Sequence, residues 1–251
     1  MNAITPNRYA AAWRRLGQAL PRPKAILAIS AHWLTRGTGV TVMPAPRTIH
    51  DFGGFPQELY EVQYPAPGSP ELAARIRDLL RPVEVALDHS WGFDHGTWSV
   101  LMHVYSKADI PVVQLSMDGT RPPLFHYELG RRLQPLRDEG VLIVGSGNIV
   151  HNLRAMDFTA EGRGYPWAEQ FDEAAASALR RHDHDALVAF DQLTADASLS
   201  VPTAEHYLPL LYVLGAQAKD EPLAFPVEGM EMGSLSMRSV AIGALKSGGA
   251  G

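Results

Sequence analysis

A single α/β domain, a mostly parallel mixed sheet with helices on both faces, is the fold the sequence predicts. Three observations carry that prediction. Short apolar runs at residues 25–30, 83–87, 112–115 and 141–144 alternate with stretches of helical period, the pattern of strands buried on both faces and joined by crossover helices. The chain has 251 residues, 46% of them hydrophobic and 20% charged, which is the balance of a globular protein able to fill one substantial core. It contains no cysteine, so no disulfide framework replaces that core.

The elements follow in order. Tyr9, Trp13, Leu16 and Leu20 recur at helical spacing and predict an amphipathic first helix, stopped by Pro21 and Pro23. The run at 25–30 is the first strand, and His32 lies just past it. Residues 44–70 are rich in proline and glycine and read as a long irregular loop. Helical patterns at 71–80 and 124–137 separate the middle strands. Helices at 167–181 and 205–214 precede the last candidate strands at 223–227 and 235–242, and the tail KSGGAG at 246–251 is expected to fray.

Charge and composition exclude several classes of function. The formal net charge is -5 and the basic residues are scattered, so nothing forms an electrostatic footprint for nucleic acid or anionic lipid. No apolar run reaches the length of a membrane span, and MNAITPNRYA lacks the pattern of a signal peptide, so the cytoplasm is the expected location. A small molecule is the expected partner. Without thiolates, any metal must be held by His, Asp or Glu, which favours iron-like or manganese-like chemistry over a structural zinc knot.

The chemistry concentrates at histidines placed where elements end. His32 and His151 each follow a buried strand, and ligands in open α/β sheets bind beyond the carboxyl ends of strands. His50 lies in a loop, His95 ahead of a helix and His206 at a helix start. Neutral imidazole is the commonest protein ligand for metals and titrates near neutrality, so such a set suits both coordination and proton transfer. Taken singly, each is more often a structural histidine than a ligand, and His89, His103, His126, His182 and His184 are assigned to that structural class. The loop TIHDFGGFP at 48–56 joins a histidine, a carboxylate, Phe52, Phe55 and two glycines that let backbone approach a ligand; its other reading is a tight turn whose aromatics plug the core. WGFDHGTW at 91–98 reads equally as a helix start with Asp94 near its cap. GSGNIVHN at 145–152 reads as a turn, without the spacing of a phosphate loop.

At these segments the sequence resembles the class III extradiol ring-cleavage dioxygenases of the LigB-like superfamily, in particular the DOPA 4,5-dioxygenase type. The resemblance runs through SAHW (30–33), HDFGGFP (50–56), YPAPGSP (64–70), WGFDHGTW (91–98), SGNIVHNL (146–153), PTAEHYLPLLY (202–212) and EMGSLSMRS (231–239), and treats residues 1–251 as one catalytic domain. It implies that His32 and His206 are metal ligands and that His151 is the acid/base lying close enough to the metal to join that set. It places His95 in both the catalytic and the substrate-lining groups, and His50 and Phe52 facing the substrate. Glu205, next to His206, is a carboxylate that could substitute for it. The implied cofactor is Fe(II), with Zn(II) also able to occupy such a site, and the implied reactants are a catechol and O2, the product being a muconic semialdehyde. In the family an apolar strand ending in Gly-His-Gly-Ser-Pro, whose His is a further ligand, precedes the position of Met1. The chain is therefore expected to start at an internal methionine, with a weakened site and impaired activity. A zinc-dependent hydrolase built from the same histidines, and a truncated metal-binding protein without activity, remain as alternatives. The sequence does not distinguish a monomer from a homodimer.

Overall fold

The computed structural model describes residues 3–160 and 162–245; the 246–251 tail lies outside them. Five strands form the main sheet: β1 Ala25–Thr35, β2 Thr38–Thr41, β3 Val85–Asp88, β4 Val112–Asp118 and β5 Val141–Ser146. Their order is β3-β2-β4-β1-β5. Every neighbouring pair is parallel except β2 with β4, which gives the mixed, mostly parallel sheet expected. Both faces are covered because β1 alternates its apolar side chains. Leu27 and Ile29 enter one core with Leu129, Ala175 and Leu211, whereas Ile26 and Ala28 enter a second with Trp98 and Leu101. Leu27 and Ile29 are completely buried, and burial of each stabilises the fold by about 1.5–3 kcal/mol.

The principal helices are α1 Arg8–Ala19, α2 Pro70–Leu79, α3 His95–Val104, α4 Pro123–Leu133, α5 Pro166–Arg180 and α6 Leu208–Gly215. Local chemistry fixes their starts. Asn7 Oδ1 accepts from the N–H groups of Tyr9 and Ala10, Ser69 Oγ from that of Leu72, and Asp94 Oδ1 from that of Thr97. Among these described helices none is long and apolar enough to cross a membrane.

Three expected elements differ in detail, each for a backbone reason. The helix at 124–137 breaks before Pro135, whose ring cannot continue the preceding turn, leaving α4 and a short turn Pro135–Asp138. The helix at 205–214 divides into the 3-10 turn Ala204–His206 and α6, because Pro209 is tolerated only in a first turn. The strand at 235–242 divides as well. Leu235–Ser236 pairs with Met230–Glu231 and Ser239–Ile242 with Leu223–Val227, both antiparallel and both apart from the main sheet. The loop at 44–70 is irregular as expected, apart from the short strand Arg47–Thr48 and one helical turn, Gln57–Tyr60.

At the outer edge of the sheet, β5 pairs only with β1 among the described residues. Among the described residues, the backbone of residues 142–145 makes no hydrogen bond to any other element. Beside that edge runs an apolar slot of about 590 Å³, walled by Leu16, Val104, Leu142, Val144, Leu210 and Val213 and reaching His206 at one end.

Candidate metal centre

His32 is aimed by an irregularity in β1. The ladder to β4 runs regularly from Ile26–Val112 to Ile29–Leu115 and resumes at Leu34–Met117, so β1 takes five steps where β4 takes two. Such bulges kink a strand and redirect a side chain. His32 lies in the bulged stretch, inside β1 rather than after it, and its N–H donates to Ser30 Oγ at 3.2 Å.

His95 is the first residue of α3, and a buried polar group anchors that helix end. Asp94 accepts from the Thr97 N–H and from Gln114 of β4, and Gln114 in turn accepts from the Thr97 hydroxyl. Asp51, in the glycine-rich loop, accepts from the His95 backbone N–H at 2.8 Å, and its other oxygen lies 2.9 Å from His95 Nδ1 and 3.6 Å from His32 Nδ1. The close approach depends on Gly96, where a Cβ would sit 2.4 Å from Ser30 Oγ and 2.9 Å from His32 Cδ2.

His151 and His206 come from the other side. The His151 N–H donates to the Ser200 carbonyl at 2.9 Å, and His151 forms a single β-bridge with Leu235. His206 ends its 3-10 turn with its carbonyl accepting from the Asn148 N–H at 2.8 Å and its Nδ1 3.3 Å from Asn148 Oδ1. Gly147 makes this approach possible, because a Cβ there would lie 2.1 Å from the His206 carbonyl oxygen.

The four rings form a continuous row. His95 and His32 have centroids 3.8 Å apart, His32 and His206 5.2 Å, and His206 and His151 stack at 3.4 Å. Burial, then the neighbouring imidazoles, pushes His206 down to about 2. Burial also lowers His151 to about 4, against the pull of Glu205, and burial, reinforced by the neighbouring His95 ring, lowers His32. Burial would raise the Asp51 carboxyl, but its contacts with His95 outweigh that and hold it below the usual range. His32, His151 and His206 are therefore neutral imidazoles and Asp51 an ionised carboxylate at neutral pH, the protonation states in which these groups bind a cation. Ligating atoms of His32, Asp51 and His95 all lie within 4.8 Å of one another. The residues present thus fit a divalent metal.

His50 and Phe52 sit at the side of this row. His50 Nε2 lies 2.9 Å from the Val62 carbonyl, and its ring packs with Phe52, Tyr60 and Trp98. Phe52 meets His95 edge to face, with centroids 5.4 Å apart. Glu205 accepts from the Thr203 hydroxyl at 2.7 Å. His126 contacts the Tyr212 hydroxyl, and His184 contacts Tyr127 and Gln217. Sequence reasoning missed Asp51 and Asn148. The His-Asp pair at 50–51 inside a glycine-bearing loop was a usable signal for the first; nothing in the sequence marked the second.

The geometry agrees with comparison to known proteins. Residues 2–244 match the family described as the catalytic LigB subunit of aromatic ring-opening dioxygenase. The chain is 54% identical to a 4,5-DOPA dioxygenase extradiol of Escherichia coli K12, over 97% of this chain and 91% of that protein. It is 43% identical to a 4,5-DOPA dioxygenase extradiol of Beta vulgaris, over 79% of this chain and 75% of that one. A crystal structure of an uncharacterized Escherichia coli K12 protein superposes with a TM-score of 0.83 at 49% identity, covering 94% of this chain and 93% of the other. With its sheet, its bulge-borne histidine and these likenesses taken together, the chain belongs to the LigB family of class III extradiol dioxygenases, in its DOPA-dioxygenase branch.

Proposed function

We propose that the chain catalyses metal-dependent extradiol opening of a DOPA-like catechol by dioxygen, in the cytoplasm, to give a muconic semialdehyde. The observation that carries this reading is the meeting of His32, His95, His151 and His206, four imidazoles distant in sequence, beside one carboxylate. His32 and His206 would hold the ion, with His151 beside them. The donor set suits Fe(II) and also accepts Zn(II). When bound, such an ion supplies open positions for the catechol oxygens and dioxygen and makes the catechol hydroxyls more acidic.

The chain's own groups do the rest. His151, kept neutral by burial, can take a catechol hydroxyl proton onto a ring nitrogen and return it as the ring opens. His95, held by Asp51 at both its backbone and its ring, and His50, held by the Val62 carbonyl, are oriented to line the substrate space. Phe52 packs against both of them and supplies an apolar surface that excludes water from one side of a bound ring.

The grouping of His32, Asp51 and His95 favours a second donor arrangement, two imidazoles and a carboxylate. Zinc titration of His206→Gln and Asp51→Asn separates the two. Loss confined to His206→Gln supports the first arrangement, and loss confined to Asp51→Asn the second. The chain is loaded anaerobically with Fe(II) and given DOPA and oxygen. Oxygen uptake with a yellow product supports the reading, and metal-loaded protein that consumes no oxygen sinks ring opening altogether.

A further inference from the structure

His206 can act as a metal donor only through a ring nitrogen that carries no proton, and the structure contains a device that selects which nitrogen that is. Asn148 faces two groups at once. Its Nδ2 donates to the Ser236 backbone carbonyl at 2.8 Å, and its Oδ1 lies 3.3 Å from His206 Nδ1. A backbone carbonyl accepts only, so the amide nitrogen must face Ser236; the reversed amide would set two oxygens against each other. The oxygen facing His206 is therefore an acceptor, and His206 must place its proton on Nδ1 to satisfy it.

Ser236 is itself held from several directions. Its N–H donates to the Val150 carbonyl at 2.9 Å, and its hydroxyl donates to Asp172 Oδ1 at 2.6 Å. The other oxygen of Asp172 accepts from Arg238 Nε and Nη2 at 3.0 and 2.7 Å, and both side chains of that ion pair are buried. The Asn148 N–H also donates to the His206 carbonyl, so the two residues are tied at backbone as well as side chain. The amide thus has one orientation available.

We propose that Asn148, oriented by the Ser236 carbonyl and the Asp172–Arg238 pair behind it, is a positioning residue that fixes His206 as the Nδ1–H tautomer and leaves the Nε2 lone pair for a ligand. The use of that lone pair for a metal rests on the function proposed above; the tautomer itself does not. A hydrogen bond to the second nitrogen of a ligating histidine fixes ring orientation and raises donor strength, and its loss typically weakens metal affinity about 10- to 100-fold.

The test is long-range ¹H–¹⁵N correlation spectroscopy on the metal-free chain with ¹⁵N-labelled histidine, His206 being assigned by its disappearance in His206→Gln. Wild-type chain is expected to show protonated Nδ1 and unprotonated Nε2. Asn148→Ala is expected to release the ring to a mixture of tautomers, whereas Asn148→Asp, which keeps an acceptor, retains Nδ1–H. Protonated Nε2 in the wild-type spectrum, which needs no variant to fold, overturns the proposal, as does an unchanged tautomer in folded Asn148→Ala. Zinc titration of the same proteins is the second readout, with a 10- to 100-fold loss expected for Asn148→Ala. A shifted tautomer with unaltered zinc affinity supports the proposal and instead removes His206 from the ligand set.

Discussion

His126 and His151 make an instructive pair, because burial lowers both to about 4 and yet their surroundings have little in common. His126 lies within α4 in the main core, its ring against the Tyr212 hydroxyl of α6. His151 lies on an irregular segment, its ring stacked on His206 and joined through it to His32 and His95. A lowered pKa reports desolvation in each case. Only the company of other donors makes one of them part of a site.

The largest test of that contrast is His32→Ala against His126→Phe. His32 lies in the middle of the row of rings, so its loss is expected to reduce zinc or Fe(II) affinity by more than about 100-fold, beyond what loss of a supporting contact produces. His126→Phe should leave affinity within about twofold, read by competition with a chromogenic chelator. Similar losses in both would erase the distinction.

The next effect is on stability. His126 has a folded-state value of about 4 against a model-compound value of 6.5, so the unfolded chain takes up its proton first as pH falls. Its contribution is whole above about pH 6.5 and is lost progressively towards pH 4, by at most about 3 kcal/mol at 1.36 kcal/mol per unit. Urea unfolding of metal-free protein at pH 7 and pH 4.5 should therefore show a smaller acid loss for His126→Phe than for wild type. An identical acid loss in both would place the titration elsewhere.

The smallest effect expected is that of Gly96→Ala. The added methyl would lie 2.4 Å from Ser30 Oγ and 2.9 Å from His32 Cδ2, so those side chains must move aside, and metal affinity should fall about tenfold while the fold persists. Unaltered affinity and an unaltered thermal transition would show that His32 has room to move.

Much of this was legible in the sequence because hydrophobic pattern and histidine placement are local signals. The strands at 25–30, 112–115 and 141–144 were readable as unbroken apolar runs, and each extends further in the structure because sheet pairing, not composition, ends it. The β1 bulge was not readable, since it is a mismatch between two strands distant in sequence. Asp51 and Asn148 were hidden for a similar reason. A polar loop residue looks the same whether it faces water or an imidazole, and only long-range packing brings Asp51 to His95 or Ser236 to Asn148. The division of 235–242 into two pairings also depends on partners, Met230–Glu231 and Leu223–Val227, that no local pattern assigns.

The rim of β5, unpaired among the described residues, bears on how the protein behaves in a test tube. Amide and carbonyl groups along residues 142–145, set beside a greasy trench, form a template on which a second molecule can zip. Turbidity in concentrated stocks should therefore fall when a charged side chain is placed on that rim, so that colloidal stability becomes a property of one strand.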